Sequence, residues 1–267
     1  MTIRSIFIAM LLLAAPLSSF AQSIHLIVVG DTYDASIGSG VKGNIGNVRS
    51  WLSSAAKTLG RQFHENLYID AEFGCGVFKG ALTKQAISPD DTVVFYYSGH
   101  GYRLESDTSP FPSFFCGQEV YTGSAPSLAK TAAKLSASGA RLVIAIADTC
   151  NVLVAQPALP LPAYQFDKYE SQRKEAYRNL LIRHRGSLVV SSSSPEEYSW
   201  YYPTHGLFTA QLVRSLDKHT QPGAAGTWEK VLGDALVKIM VPTGSSTNPV
   251  LVPQTPQADR TGLALLP

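Results

Sequence analysis

Alternation of short apolar runs with stretches of helical spacing predicts an α/β fold, a mostly parallel sheet with helices on both faces. Runs at 24–29, 92–97, 141–147 and 187–191 have strand length, are rich in β-branched residues and carry few polar interruptions. That is the pattern of strands buried on both faces. Between them, residues 48–59, 127–136 and 169–182 space their apolar side chains as helices do. With 45% apolar and 16% charged residues, a chain of 267 residues can bury one large core, so a single domain is expected.

Beyond the fourth run, 206–216 and 227–240 have helical spacing, and 249–252 could add an edge strand. Residues 106–126 and 156–166 are dense in Pro, Ser and Gly and read as surface loops. At the N-terminus, Arg4 precedes a nearly unbroken apolar run at 6–17, and Ser19, Phe20 and Ala21 offer small residues around a cleavage point. This is the pattern of a secretory signal over 1–21, with the mature domain over 22–267, and the run is too short to span a bilayer comfortably. An exported, periplasmic or extracellular protein without stable membrane insertion is expected. A formal net charge of +2 without long basic runs argues against nucleic acid as a partner.

Export permits disulfides, and three cysteines leave at least one unpaired in a monomer. Spacing does not choose among the three pairings. Cys75 and Cys116 lie in Gly- and Pro-rich loops, whereas Cys150 ends an apolar run beside an aspartate, which favours a Cys75–Cys116 bridge and a free Cys150.

In an open α/β sheet the ligand site lies beyond the carboxyl ends of the strands. The run at 92–97 leads into Ser98-Gly99-His100-Gly101, and that at 141–147 into Asp148-Thr149-Cys150-Asn151. A histidine and a cysteine therefore emerge at one sheet edge. A thiol whose ionised form is favoured by a neighbouring imidazole is a nucleophile for acyl transfer, and the histidine can return the proton to a leaving amine. Glycines on both sides of His100 leave room for a substrate backbone, and the amides of Gly101 and Cys150 could form an oxyanion hole. Asp148, two residues before the cysteine, could hold a basic substrate residue or hydrogen-bond the loop. The residue that would orient His100 is not legible.

Tyr97-Ser98-Gly99-His100-Gly101 and Asp148-Thr149-Cys150 together resemble the caspase-like cysteine peptidases, especially the metacaspase and bacterial orthocaspase branch. In caspases the histidine lies about 50 residues before the cysteine, and the spacing here matches. The resemblance spans about 24–217. It includes Gly43-Asn44-Ile45-Gly46-Asn47-Val48, Ser191-Ser192-Ser193 and His205-Gly206-Leu207-Phe208-Thr209. It implies a caspase-haemoglobinase three-layer sandwich and a His100/Cys150 dyad. The implied enzyme is a cysteine endopeptidase that cleaves peptides or proteins after Arg or Lys through a thioester acyl-enzyme. Asp148, Asn47, Ser191 and Ser192 would then bind substrate. Asn47 stands where the branch has a second acid, and Asn151-Val152-Leu153 replaces its Gly-containing turn after the nucleophile.

No cofactor is required by this chemistry, and no cluster has convincing zinc spacing; calcium activation is implied by resemblance only. Lys168, Arg173, Lys174, Arg178, Arg183 and Arg185 fall where caspases are cut into two parts. They read either as self-cleavage sites or as a solvated face with charge pairs such as Glu170 with Lys174. The competing reading is an inactive caspase-like module that binds peptides or regulates a partner. A serine esterase lacks its Gly-x-Ser-x-Gly elbow, and a redox role lacks Cys-x-x-Cys.

Overall fold

A computed structural model describes residues 22–80, 82, 86–117, 125–152, 170–245 and 248–266. The expected signal segment, Lys168, Leu153 and the 156–166 loop lie outside them. β1 (Ile24–Gly30) runs into α1 (Gly38–Leu59), which leads to β2 (Phe63–Tyr68), and α2 (Gly76–Gly80) precedes β3 (Thr92–Ser98). A ribbon of β4 (Gly101–Tyr102) and β5 (Ser113–Phe114) is followed by α3 (Leu128–Ser136), β6 (Leu142–Asp148), α4 (Lys174–Leu181) and β7 (His184–Ser191). After these come β8 (Tyr201–Tyr202), β9 (His205–Gly206), α5 (Leu207–His219) and α6 (Trp228–Ala235). The chain ends in a hairpin of β10 (Ile239–Ser245) and β11 (Asn248–Gln254), then β12 (Gln257–Asp259) and β13 (Ala264–Leu265).

The central sheet has the order β12-β7-β6-β3-β1-β2, with β13 also on β7. Strands β2, β1, β3, β6 and β7 are parallel, and β12 and β13 are antiparallel to β7. Because successive side chains of a strand point to opposite faces, one set builds each core layer. Leu26, Val28, Tyr96 and Ile144 join Trp51, Leu212 and other side chains of α1, α4, α5 and α6 on the first face. Ile27, Val29, Phe95 and Ala145 join Phe78 of α2, Phe114 and Leu128 of α3 on the second. The α/β three-layer arrangement is the one the alternating pattern predicts.

Four elements differ from the sequence reading. α1 starts well before residue 48: Gly40 and Gly43 let β8 and β9 pack closely against its first turns, and Gly38 lets the Thr32 backbone approach its start. β2 lacked a signal because its sequence, Phe-His-Glu-Asn-Leu-Tyr, is that of a partly exposed edge strand. The helix expected over 227–240 ends at Ala235, and Ile239 onward is strand; Pro242 could not have continued a helix. Residues 249–252 pair within the β10–β11 hairpin, and the sheet edge is taken by Gln257–Asp259. Among the described residues no helix is long and apolar enough to cross a membrane.

The basic segment after Cys150 is partly structural. Arg173 is buried with its Nη1 2.5 Å from Asp217 Oδ1. Glu175 pairs with Arg183 at 2.8 Å and with Arg178 at 4.0 Å.

At the opposite end of the sheet from His100 and Cys150, the buried Arg141 guanidinium ties three elements together. It donates to Asp90 O at 3.1 Å, Thr92 Oγ1 at 2.7 Å, Leu181 O at 2.9 Å and His184 O. Replacing Arg141 by Met fills similar space but removes the guanidinium donor from Asp90 O and His184 O, while Leu181 O keeps the Thr92 hydroxyl at 2.6 Å. Such buried unsatisfied groups cost about 1–3 kcal/mol each, so the Arg141→Met chain is expected to unfold at clearly lower urea concentration with an unchanged m-value.

Candidate active site

Parallel pairing delivers the two reactive side chains. Tyr97 pairs with Ala147 and Ser98 with Asp148, so two residues further along each chain come His100 and Cys150. The loops remain joined past the strands: Gly99 N donates to Asp148 O at 3.4 Å and Arg103 N to Val152 O at 3.3 Å. Gly101 is a contact point as well. A Cβ there would lie 2.2 Å from Thr149 Oγ1 and 2.7 Å from Cys150 O. The glycine expected to make room for substrate on this side instead lets the histidine loop pack on the cysteine loop.

His100 is held by its backbone. Its carbonyl accepts from Tyr97 Oη at 2.7 Å and from Phe115 N at 3.0 Å. The Phe115 bond makes Gly101 and Phe114 a non-hydrogen-bonded pair of the antiparallel ribbon, which leaves the Gly101 amide out of that ladder. Phe114 stacks on Tyr97 at 4.0 Å between centroids. Cys116, next after Phe115, is disulfide-bonded to Cys75, whose N donates to Cys116 O at 3.2 Å. The bridge therefore anchors the strand that anchors His100. The ring itself meets a residue that the motifs did not reveal: Nε2 of His100 is 3.2 Å from Oδ2 of Asp34, in the loop after β1. An aspartate in a polar loop has no sequence signal that separates it from an ordinary turn residue.

Cys150 is the free cysteine, half-buried. Its Sγ accepts from Ser199 N at 3.4 Å and faces Ser199 O at 3.6 Å. Burial pushes the thiol up to about 11, against the Ser199 amide and with the help of the Asp148 charge. The thiol is thus protonated at neutral pH. Ser191 and Ser192, expected to bind substrate, are fully buried and do a different job. Ser192 Oγ bridges Thr149 O at 3.0 Å and Thr149 N at 2.9 Å, and Ser193 Oγ reaches Thr149 O at 2.9 Å, while Ser191 Oγ donates to Ser193 O at 3.0 Å. They fix the peptide that precedes Cys150. Asn151 Nδ2 donates to Pro110 O at 2.8 Å and fixes the peptide that follows it.

Asp148 is also fully buried. Oδ1 accepts from Ser199 Oγ at 2.6 Å, and Oδ2 accepts from Asn44 Nδ2 at 3.1 Å, Thr209 Oγ1 at 2.5 Å and Thr209 N at 3.2 Å. Thr209 N is in the first turn of α5, whose N-cap, Gly206, has no side chain to offer. Asp148 therefore supplies the missing cap from a distant strand, with its charge at the positive end of the helix. Gly206 is required by that approach, since a Cβ there would sit 2.2 Å from Asp148 Oδ2. Asn44 Oδ1 accepts from Gly206 N at 2.6 Å, which closes the network. On α1 it is Asn44 that touches Asp148, and Asn47, expected beside it, lies half-buried one turn further on. Among the described residues no group of three or more His, Cys, Asp or Glu is arranged to hold a metal ion.

Two outcomes follow from this geometry. Reducing the disulfide, or replacing both Cys75 and Cys116 by Ser, releases the β5 anchor, so exchange of the Phe115 amide proton should accelerate roughly tenfold or more, a loss of about 1.4 kcal/mol in local opening energy. Burial also raises the Asp148 carboxyl above its ordinary value despite the Ser199 and Thr209 bonds. A raised folded-state value stabilises the protein below about pH 4, the unfolded value, and that contribution disappears as pH rises through the raised value. Asp148→Asn does not titrate, so its stability relative to the native chain should improve from pH 4 upward and then level off in urea titrations; a pH-independent difference would contradict the assignment.

The comparison with curated proteins finds no match. The caspase-domain family of peptidases matches residues 76–253, about two thirds of the chain and including both His100 and Cys150. A parallel sheet flanked by helices, a histidine and a cysteine leaving adjacent strands, and this match agree: the chain belongs to the caspase-domain peptidase family.

Proposed function

We propose that the protein is a cysteine endopeptidase in which Cys150 is the nucleophile and His100 its proton partner. The observation that carries this reading is the β3–β6 register, which brings both residues out at the same level from neighbouring strands. Because the resting thiol is neutral, His100 acts as a general base: it accepts the Sγ proton as sulfur attacks the scissile carbonyl carbon. The Gly101 and Cys150 amides would receive the oxyanion. Collapse breaks the C–N bond, His100 gives its proton to the departing amine, and a thioester remains. Water, deprotonated by the same ring, then releases the acid and the thiol.

In this reading the substrate residue before the scissile bond is Arg or Lys. Asp148 is a buried anion satisfied by neutral donors alone, and its charge is felt at Cys150. A substrate cation would have to replace one of those donors, which demands movement of the Ser199 segment. The same movement would free Sγ. The disulfide supports export to an oxidising compartment, since such bonds persist there.

The second reading, a peptide-binding module that does not cut, is favoured by one observation: Sγ is engaged by Ser199 and Asp148 is sealed. Hydrolysis of fluorogenic peptides ending in Arg, Lys or Asp, with and without calcium and reductant, separates the two. Cleavage after Arg or Lys is expected, with a loss of at least about 10³-fold in kcat for Cys150→Ala and for His100→Ala. Peptide binding that survives Cys150→Ala, with no hydrolysis by the folded native chain, would establish the module instead.

A further inference from the structure

The carboxylate of Asp34 divides its two oxygens between two tasks. Oδ1 is occupied by the turn that opens α1, accepting from Ser36 N at 2.8 Å, Ser36 Oγ at 2.6 Å and Ile37 N at 2.9 Å. Oδ2 faces the other way, 3.2 Å from Nε2 of His100. Three donors on one oxygen fix the plane of the carboxylate, so the second oxygen is aimed and not merely nearby.

Topology explains why these two residues meet. The chain leaving β1 enters α1 on the first face of the sheet, whereas the chain leaving β3 passes to α3 on the second. An opening forms where adjacent strands send their chains to opposite faces. The β1 exit stays against the β3 exit as it crosses this opening: Asp31 N donates to Ser98 O at 3.1 Å, and a Cβ on Gly99 would touch the Asp31 Cβ at 3.4 Å. Asp34 then arrives at the ring of the next residue, His100.

A histidine that takes a proton from sulfur and passes it to an amine needs one bare nitrogen facing the reaction and the other held. We propose that Asp34 is the positioning residue of this site: it accepts the Nε2 proton of His100, fixes the tautomer whose Nδ1 exchanges protons at Cys150, and so completes a triad. The inference rests on the peptidase reading above. It goes beyond the family match, which begins at residue 76. Asp34 is suited to the role at any working pH. Burial works against its charge, but the Ser36 and Ile37 bonds, with His100, hold the carboxyl down to about 2. Its neighbour Asp31 is shifted the opposite way, by burial first and by the Asp34 charge second.

Asp34→Asn keeps an oxygen for the turn and removes the charge, and Asp34→Ala removes both. On the best peptide substrate, kcat is expected to fall at least about tenfold in Asp34→Asn and further in Asp34→Ala, with KM within twofold and the thermal midpoint of Asp34→Asn unchanged. A raised KM at unchanged kcat would overturn the proposal. A second measurement does not depend on turnover: in the ¹⁵N-labelled full chain carrying Cys150→Ala, neutral His100 should show a protonated Nε2 and a bare Nδ1, and adding Asp34→Asn should give a mixture. A protonated Nδ1 with Asp34 intact refutes the positioning role. If the expected tautomer is seen but the native chain cuts no peptide, Asp34 keeps its role toward His100 and it is the peptidase reading that fails.

Discussion

The pairing of β3 with β6 is the constraint on which the site depends. Both strands are buried on both faces, so their register is set by close packing against two helical layers. A slip of one residue would turn Phe95 and Tyr97 out of one core layer and into the other. The same register that satisfies the core fixes how far His100 and Cys150 project beyond it. Precise placement of the reactive groups is thus inherited from the part of the molecule least able to move.

Around this pair the polar network is inward-looking. Asp148 caps α5, Asn44 links α1 to the α5 N-terminus, and Tyr201 Oη donates to Asp148 O at 2.5 Å. Ser199 connects the network to the thiol, since its hydroxyl holds Asp148 while its backbone holds Cys150 Sγ. Buried polar clusters are costly when half satisfied, and this one satisfies both Asp148 oxygens with protein donors. The arrangement couples the thiol, the acid and the start of α5, so a change at Ser199 is felt by all three. Motif residues such as Gly206 and Thr209, which do no chemistry themselves, gain their meaning from this coupling.

Elements with strong periodicity were readable because one physical demand dominated them. The strands at 24–29, 92–97 and 141–147 are mostly apolar because both faces are covered, with polar residues only near their starts, and 127–136 shows an N-capping Ser127 ahead of its apolar stripe. β2 and β10 were not readable, and for 249–252 the strand was legible but not its hairpin partner. Each is partly exposed, with Val250 and Leu251 open to solvent in the hairpin, so no burial pattern was imposed on its sequence. The short β4–β5 and β8–β9 ribbons are made by contacts with the loops and α1 and carry no period of their own.

By itself the sequence determined the α/β class and the resemblance to caspases and singled out the His100 and Cys150 pair, because each is written in local signals: runs of β-branched residues, and a histidine and a cysteine at the ends of two of them. Only the tertiary structure decided what surrounds that pair. Asp34 and Cys150 are far apart in the chain, yet each lies beside a neighbour of β3. Asn44, not Asn47, is the α1 residue that contacts Asp148, because Asn47 lies on the same side of the helix but one turn further along it. Ser191 and Ser192 are fully buried, and the Ser192 hydroxyl supports the Thr149 peptide, a placement that only the folded chain sets. Residue type announces what chemistry is available; which atoms face one another is set by strand order and by the direction in which each chain leaves the sheet.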